Sequence, residues 1–436
     1  MQRNLTTFLI LSAATMSLGW GLRGTIGGGP SGAMIPGAMI GLCLCLLLDL
    51  KKHVHLIAAM GAVGIGIGGQ MTYGQTIGFA RVPETMWWGL LGLTLKGAAW
   101  GVVGGGILGM GFMIQKYTRK EVLLSLLYLA VGTMVGWAIF DHTKLVYFSN
   151  RYDRPREEVL VGMLLGAVGF LIIPWMKKRE QFTLEMALWG FYFGGLGFGG
   201  GGLFMAISQR VPAAYQKLPY WKGMEFTFGA LLGIGYAIAC YRNREMLKRE
   251  NLALSEQDDV WGKLPRAATY PVLLLLVVAS LWFNFGLSHR PWTPSEGIYT
   301  ILGCLLLAVA ICSEFLAAHI AFSITVVAFF RDFVAGALKM KGSEAIQIPP
   351  RSLWGITFIL AMPVVAYVST QLQAKTKRTA RELLLLTWAG VIDCFAKFFF
   401  LLNGLDHGLV EKVFVVETLI VTGMVLAISS RDVEED

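Results

Sequence analysis

The sequence predicts an all-α polytopic membrane protein. Four parallel, glycine-rich two-helix hairpin repeats precede a six-span C-terminal helical unit, about 14 spans in all. Three observations predict it. First, 55% of the 436 residues are hydrophobic and only 15% are charged, with a mean hydropathy of +0.60; soluble chains carry about 25% charged residues. Second, a Gly-x-x-x-Gly stretch recurs at Gly37–Gly41, Gly101–Gly105, Gly162–Gly166 and Gly229–Gly233, with starts 64, 61 and 67 residues apart. Third, a basic cluster follows each one, at Lys51-Lys52, Lys116 to Lys120, Lys177 to Arg179 and Arg242 to Arg244, with starts 65, 61 and 65 residues apart. Two independent features with one period mark a repeat.

Hairpin one spans 7–50 and turns at Arg23-Gly24-Thr25 and Ser31. Its start resembles a signal peptide, with Arg3, an apolar run from Phe8 and the small pair Ala13-Ala14. Removal would strip the hairpin of its first helix, so the segment is read as a span. Hairpins two, three and four span 56–114, 122–175 and 188–241. Each basic cluster follows the second helix, so the positive-inside rule puts all four in the cytoplasm and gives the copies one orientation around a central path or cavity. Residues 1–245 form this repeat domain. Residues 246–270 turn polar and read as a cytoplasmic linker with a short surface helix. The C-terminal domain, 271–436, has candidate spans at 271–288, 298–316, 320–338, 353–370, 383–403 and 412–429. Both termini then lie in the cytoplasm of an inner-membrane protein.

Charge and cysteine usage exclude some functions. The formal charge of +9 belongs to short loops between spans, and no soluble basic module suggests nucleic acid. All six cysteines lie in apolar segments without a Cys-x-x-Cys, so no metal site or cofactor is expected. The expected partners are a small-molecule solute and membrane lipids.

Candidate site residues follow from the cost of polarity in hydrocarbon. Gln70, Thr72, Tyr73, Gln75 and Thr76 form a polar string after the glycine run Gly64–Gly69, and read as a broken helix lining a solute site. Arg23 sits beside the glycine-rich stretch Gly24–Gly32, whose amides can hold an anion. Lys96 and Lys222 each precede a glycine near the outer start of a second helix, with Glu157-Glu158 and Ser31 at the comparable depth of the other hairpins. The outer loops mix cations such as Arg151, Arg156 and Arg210 with aromatics such as Tyr147, Tyr220 and Trp221. That mixture suits an anionic or sugar-like solute.

The expected function is therefore transport of a small polar solute across an inner membrane. Its site is expected at Arg23, Gln70, Tyr73, Gln75, Lys96, Asp141, His142 and Lys222. Asp393 and Lys397, four apart on one helix face, are the expected coupling pair. The alternative is an integral membrane enzyme acting on a lipid-linked or periplasmic substrate, with Asp141, His142, Glu157 and Glu158 as an outer acid/base group. Asp406-His407 and Arg331-Asp332 are further polar pairs in the C-terminal domain.

Overall fold

Asn4 opens the first helix: its side chain accepts from the Thr7 amide at 3.0 Å, and α1 runs Leu5–Thr25. The computed structural model describes residues 3–26, 28–177, 180–253, 266–281, 297–323, 325, 379–401 and 408–434, and every regular element among them is helical. α2 (Gly29–Leu48) begins with Pro30, which suits a first turn where the missing amide is not needed. α3 (Val54–Gly68) breaks at Gly69–Tyr73, and α4 (Gly74–Arg81) leads into α5 (Met86–Phe112). A capping box of Thr118 and Glu121 starts α6 (Arg119–Thr143). Then come α7 (Leu160–Met176), α8 (Phe182–Ser208), α9 (Tyr220–Arg242) and the short α10 (Arg244–Leu252). The C-terminal part contributes α11 (Arg266–Leu281), α12 (Ile298–Ala310), α13 (Thr379–Leu401) and α14 (Gly408–Glu434). The expected span 353–370 and most of 320–338 lie outside the described residues.

Seven of the described helices are long and apolar enough to cross a membrane, and α3, α7 and α12 are shorter apolar helices. By length and composition these helices suit a multi-pass membrane fold. α1, α2, α3, α5, α8 and α9 form a closed ring, each packed on the next and α9 on α1. The glycine stretches make three of its seams. Gly37 and Gly41 of α2 lie on Gly61 and Ala58 of α3; Gly97 and Gly101 of α5 lie on Gly194 and Gly190 of α8; Gly229 and Gly233 of α9 lie on Met16 and Ser12 of α1. A methyl group added at Gly37, Gly101 or Gly229 would overlap a carbonyl of the facing helix. Apolar side chains gain little by leaving lipid for one another, so close backbone approach has to supply the attraction.

The third hairpin uses its glycines differently. Gly162 and Gly166 of α7 face α6, where Gly132 and Gly136 face back. The seam is spent within the hairpin, and α6–α7 stands outside the ring against α5. The buried share of the apolar stretch accordingly falls from 94% for α2 to 33% for α6.

The ring's interior is filled. Trp20, Trp100, Tyr236 and Phe228 are all buried there. Trp20 meets Trp100 and Phe228 edge-on at 5.0 and 4.5 Å. The Trp100 indole donates to the Ile65 carbonyl at 2.7 Å, and the Tyr236 hydroxyl donates to Gly101 at 3.1 Å. The expected central path is therefore occupied, because glycine-lined helices leave room that large aromatics take up.

Residues of all four basic clusters meet acceptors at one end of the bundle. Lys116 pairs with Glu250 at 2.6 Å, Lys177 with Glu121 at 3.0 Å and Arg242 with Glu185 at 3.3 Å. The Lys51 amide donates to Asn251 of α10 at 3.2 Å. The C-terminal helices pack on the α1–α3 side. Polar clasps hold them: Ser17 donates to Glu417 at 2.5 Å, and the start of α3 meets Glu314 and Glu382 through His55 at 2.8 and 2.9 Å. Five cysteines are buried and Cys312 is partly so, all as free thiols.

Candidate functional site

At the end opposite the basic clusters, α1 finishes, the glycine loop turns into α2, and the break between α3 and α4 crosses the ring. Arg23 lies in the last turn of α1 and is only 3% exposed. Its Nη1 donates to the Tyr73 hydroxyl at 2.7 Å, and its Cζ stands 5.0 to 5.5 Å from the rings of Trp100, Trp20 and Tyr73. Gly28 and Gly29 take positive φ of 67° and 64°, which lets the chain reverse tightly above it. Arg23 packs against Gly32, and its Nη2 lies 3.9 Å from where a side chain at Gly28 would begin. The guanidinium thus faces the first turn of α2, whose leading amides have no helical acceptor.

No carboxylate among the described residues is within ion-pair distance of Arg23, and its Nε has no hydrogen-bond partner. A guanidinium is always charged. Cation–π contacts return about 0.5–2 kcal/mol, against an effective penalty of several kcal/mol for a buried ion. The negative end of α1 and the positive end of α2 act on it with opposite sign. The local protein therefore leaves this charge under-compensated.

A second buried cation lies close by. Lys96 of α5 is fully buried and meets Glu158 at 3.0 Å, with the two side chains 0% and 1% exposed. Its Nζ also donates to Thr76 at 2.8 Å and to the Thr72 carbonyl. Glu158 further accepts from the Phe148 amide at 3.3 Å and the Ser149 hydroxyl at 3.5 Å. The α6–α7 loop brings Glu158 here by folding onto the α3–α4 break. Gln75 accepts from the Asn150 amide at 2.9 Å and donates to Arg154 at 2.9 Å, Thr72 donates to Glu157 at 3.0 Å, and Thr76 donates to Phe148 at 2.9 Å. Each of these side chains has a protein partner, though Thr72, Tyr73 and Gln75 are only partly buried; Gln70 and Thr76 are fully buried, and Gln70 donates to Thr300 at 2.7 Å.

The expected site residues sort into three groups. Arg23 and Tyr73 are bonded directly, and Lys222 lies beside them, donating to the Gly21 carbonyl at 3.0 Å and to Glu225 at 2.7 Å. Lys96, Glu158 and Asp141 form a second set, since Asp141 accepts from the Glu158 amide at 2.7 Å and from Lys144 at 2.8 Å. Gln75 and Gln70 are structural neighbours of that set. His142 is exposed at the end of α6, and no hydrogen bond or ion pair among the described residues joins it to a carboxylate. Asp141 and Glu158 bond other partners, and no hydrogen bond or ion pair among the described residues joins either to His142. Asp393 is buried on α13, outside the ring; the side chain of Lys397, together with Asp406-His407 and Arg331-Asp332, lies outside the described residues.

Sequence reasoning passed over Trp20, Trp100 and Glu225. The tryptophans sit in helices apolar on every face, where no periodicity marks the inward side. Glu225 carried a signal: it is three residues after Lys222, on the same helix face. Its carboxylate packs on α1 at Gly24, where any side chain would overlap it. Among the described residues no group of three or more metal-type ligands is clustered. Compared with known protein families, curated proteins and solved structures, the chain matches none.

Proposed function

We propose that this protein carries a small anionic or sugar-like solute across a membrane, and that it receives the solute's negative group at Arg23. One observation carries the reading: a buried guanidinium that has no carboxylate partner among the described residues and is aimed at the glycine turn and first turn of α2. A carboxylate or phosphate group there would meet the Arg23 fork together with the amides of Gly29 and Ser31. Tyr73 and Trp221, 6.0 Å apart and tilted by 33°, offer aromatic faces to the solute's apolar side. Arg81 and Arg210 line a far-end groove of about 460 Å³ with Gln209, and that charge draws anions toward this face. Trp20, Trp100 and Phe228 form the barrier below.

Under this reading the basic end is cytoplasmic by the positive-inside rule, and the protein sits in an inner membrane with both termini inside and 14 crossings. The four hairpins descend from one unit, three closing the ring and the third displaced from it. The test is uptake into proteoliposomes from a panel of labelled sugars, sugar acids and small anions, comparing wild type with Arg23→Ala. Accumulation of at least one anionic solute, lost in the variant, supports the reading. Accumulation of none, or equal accumulation by both proteins, contradicts it.

A further inference from the structure

Two arginines meet across an open groove at the far end of the bundle. Arg81 closes the last turn of α4, and Arg210 follows the end of α8, where the two helices pack on each other. Both line the groove, with Gln209 and Gly78 beside them. A side chain begun at Gly78 would stand in open space. Arg210 turns back to donate to the Ala206 carbonyl, which holds its guanidinium at the negative end of α8. Neither arginine forms an ion pair among the described residues. The positive-inside rule gives no reason for cations at this end.

The groove lies where two apolar helices end. Pro83, part of its lining, begins the stretch that continues as α5, and Ser208, just before Gln209 and Arg210, ends α8. That is the depth of lipid headgroups. Exposed apolar residues lead away from it toward the hydrocarbon. Ile207 and Leu203 are 49% and 46% exposed and one turn apart on α8; Trp87 and Leu91 are 73% and 46% exposed and one turn apart on α5. We propose that this groove binds an anionic phospholipid, with the lipid phosphate held between Arg81 and Arg210 and the acyl chains laid along these exposed faces.

The chemistry selects the lipid class. Guanidinium forks match the oxygens of a phosphodiester and stay charged at every working pH. Two of them without a carboxylate favour a headgroup that brings no cation of its own. The Gln209 amide can donate to and accept from headgroup hydroxyls, as in phosphatidylglycerol. A free phosphate ion would use the arginines and leave the apolar faces unused, so it binds more weakly than the whole lipid. The site goes beyond the transport reading and does not rest on it. A bound lipid cancels one of the two positive charges, and the other still draws anions toward this end.

The experiment is native mass spectrometry of the full-length protein, stripped of lipid in a neutral detergent and titrated with phosphatidylglycerol, phosphatidylcholine or inorganic phosphate. At its tightest site wild type should bind phosphatidylglycerol at least about tenfold better than phosphatidylcholine. Arg81→Gln/Arg210→Gln should weaken phosphatidylglycerol about a hundredfold, because each arginine gives up a charge-assisted hydrogen bond. Gly78→Leu keeps both charges and fills the groove from a helical position that has room for a side chain. It should weaken the lipid about tenfold or more, and it serves if the double variant does not fold. Arg23→Met should bind phosphatidylglycerol as wild type does. Equal binding of the two lipids by wild type overturns the proposal, as does undiminished binding by the double variant or by Gly78→Leu. Inorganic phosphate that displaces the lipid at comparable concentration marks a free-anion site and overturns it too. Loss of the lipid in Arg23→Met moves the site to Arg23 and overturns this one. Lipid selectivity that depends on Arg81 and Arg210 supports the proposal even where no solute is taken up, and its absence leaves the transport reading untouched.

Discussion

Arg23 and Lys96 are both buried cations that bond the break between α3 and α4, and they are treated in opposite ways. Lys96 is matched by Glu158 at 3.0 Å and by two further acceptors. Arg23 is given aromatic rings, one tyrosine hydroxyl and no carboxylate among the described residues. Both groups would have cost the same kind of desolvation, so the difference lies in what each awaits. A matched charge holds structure together. Under the proposed reading, an unmatched charge at a glycine turn is completed by a ligand.

The sharpest way to break this comparison is to unmatch Lys96. Glu158→Ala strands a buried ammonium and should cost about 3–5 kcal/mol of stability, read as a large fall in the unfolding midpoint in detergent. A change below about 1 kcal/mol would mean that the lysine is solvated in solution. Cutting the link between the centres comes next. Tyr73→Phe removes a hydrogen bond to a charged donor and should cost about 1.5–3 kcal/mol, seen in the same assay. A smaller effect is expected at the far side of the bundle. Tyr117, buried and bonded to Glu180 and Thr183, has its phenol pushed well above the usual range by burial first and by Glu180 second. It stays neutral up to and through that range, so it takes no part in titration between pH 4 and pH 8. Tyr117→Phe should cost about 1 kcal/mol, read as a small fall in the unfolding midpoint that is the same at pH 5 and pH 8. The smallest stability effect belongs to Arg23. Arg23→Met should leave the unliganded protein within about 1 kcal/mol of wild type or raise its stability, since removing an unmatched buried charge gives up little.

Much of the scaffold was legible in the chain. Every Gly-x-x-x-Gly stretch singled out by its period lies at a helix contact, and the helix pairs α1–α2, α6–α7 and α8–α9 fall within a few residues of expected hairpin bounds, while the second expected hairpin holds the extra helix α4; that the four are copies of one unit rests on the sequence period alone. What the period does not carry is the partner. Gly162 and Gly166 look like their counterparts, but Gly132 and Gly136 on the preceding helix supply a matching surface, so that hairpin closes on itself. The sign was present in α6 as the same four-residue spacing. Individual residues of the candidate site were legible by polarity in apolar surroundings: Arg23, Tyr73, Lys96 and Lys222 all stood out. Their pairing was not. Lys96 and Glu158 are 62 residues apart, and only the fold of an irregular loop joins them. The filling of the ring was equally hidden, because a helix that is apolar all round gives no sign of which tryptophan points inward.

The central claim is that Arg23 is an anion site. The direct measurement is thermal unfolding of the purified full-length protein against a series of small carboxylates, sugar acids, sulfate and phosphate, with Arg23→Met in parallel. An anion at 100 times its dissociation constant should stabilise wild type by about 2.7 kcal/mol and leave the variant unchanged. If no anion in the series stabilises wild type, or if the variant is stabilised equally, Arg23 is not the site.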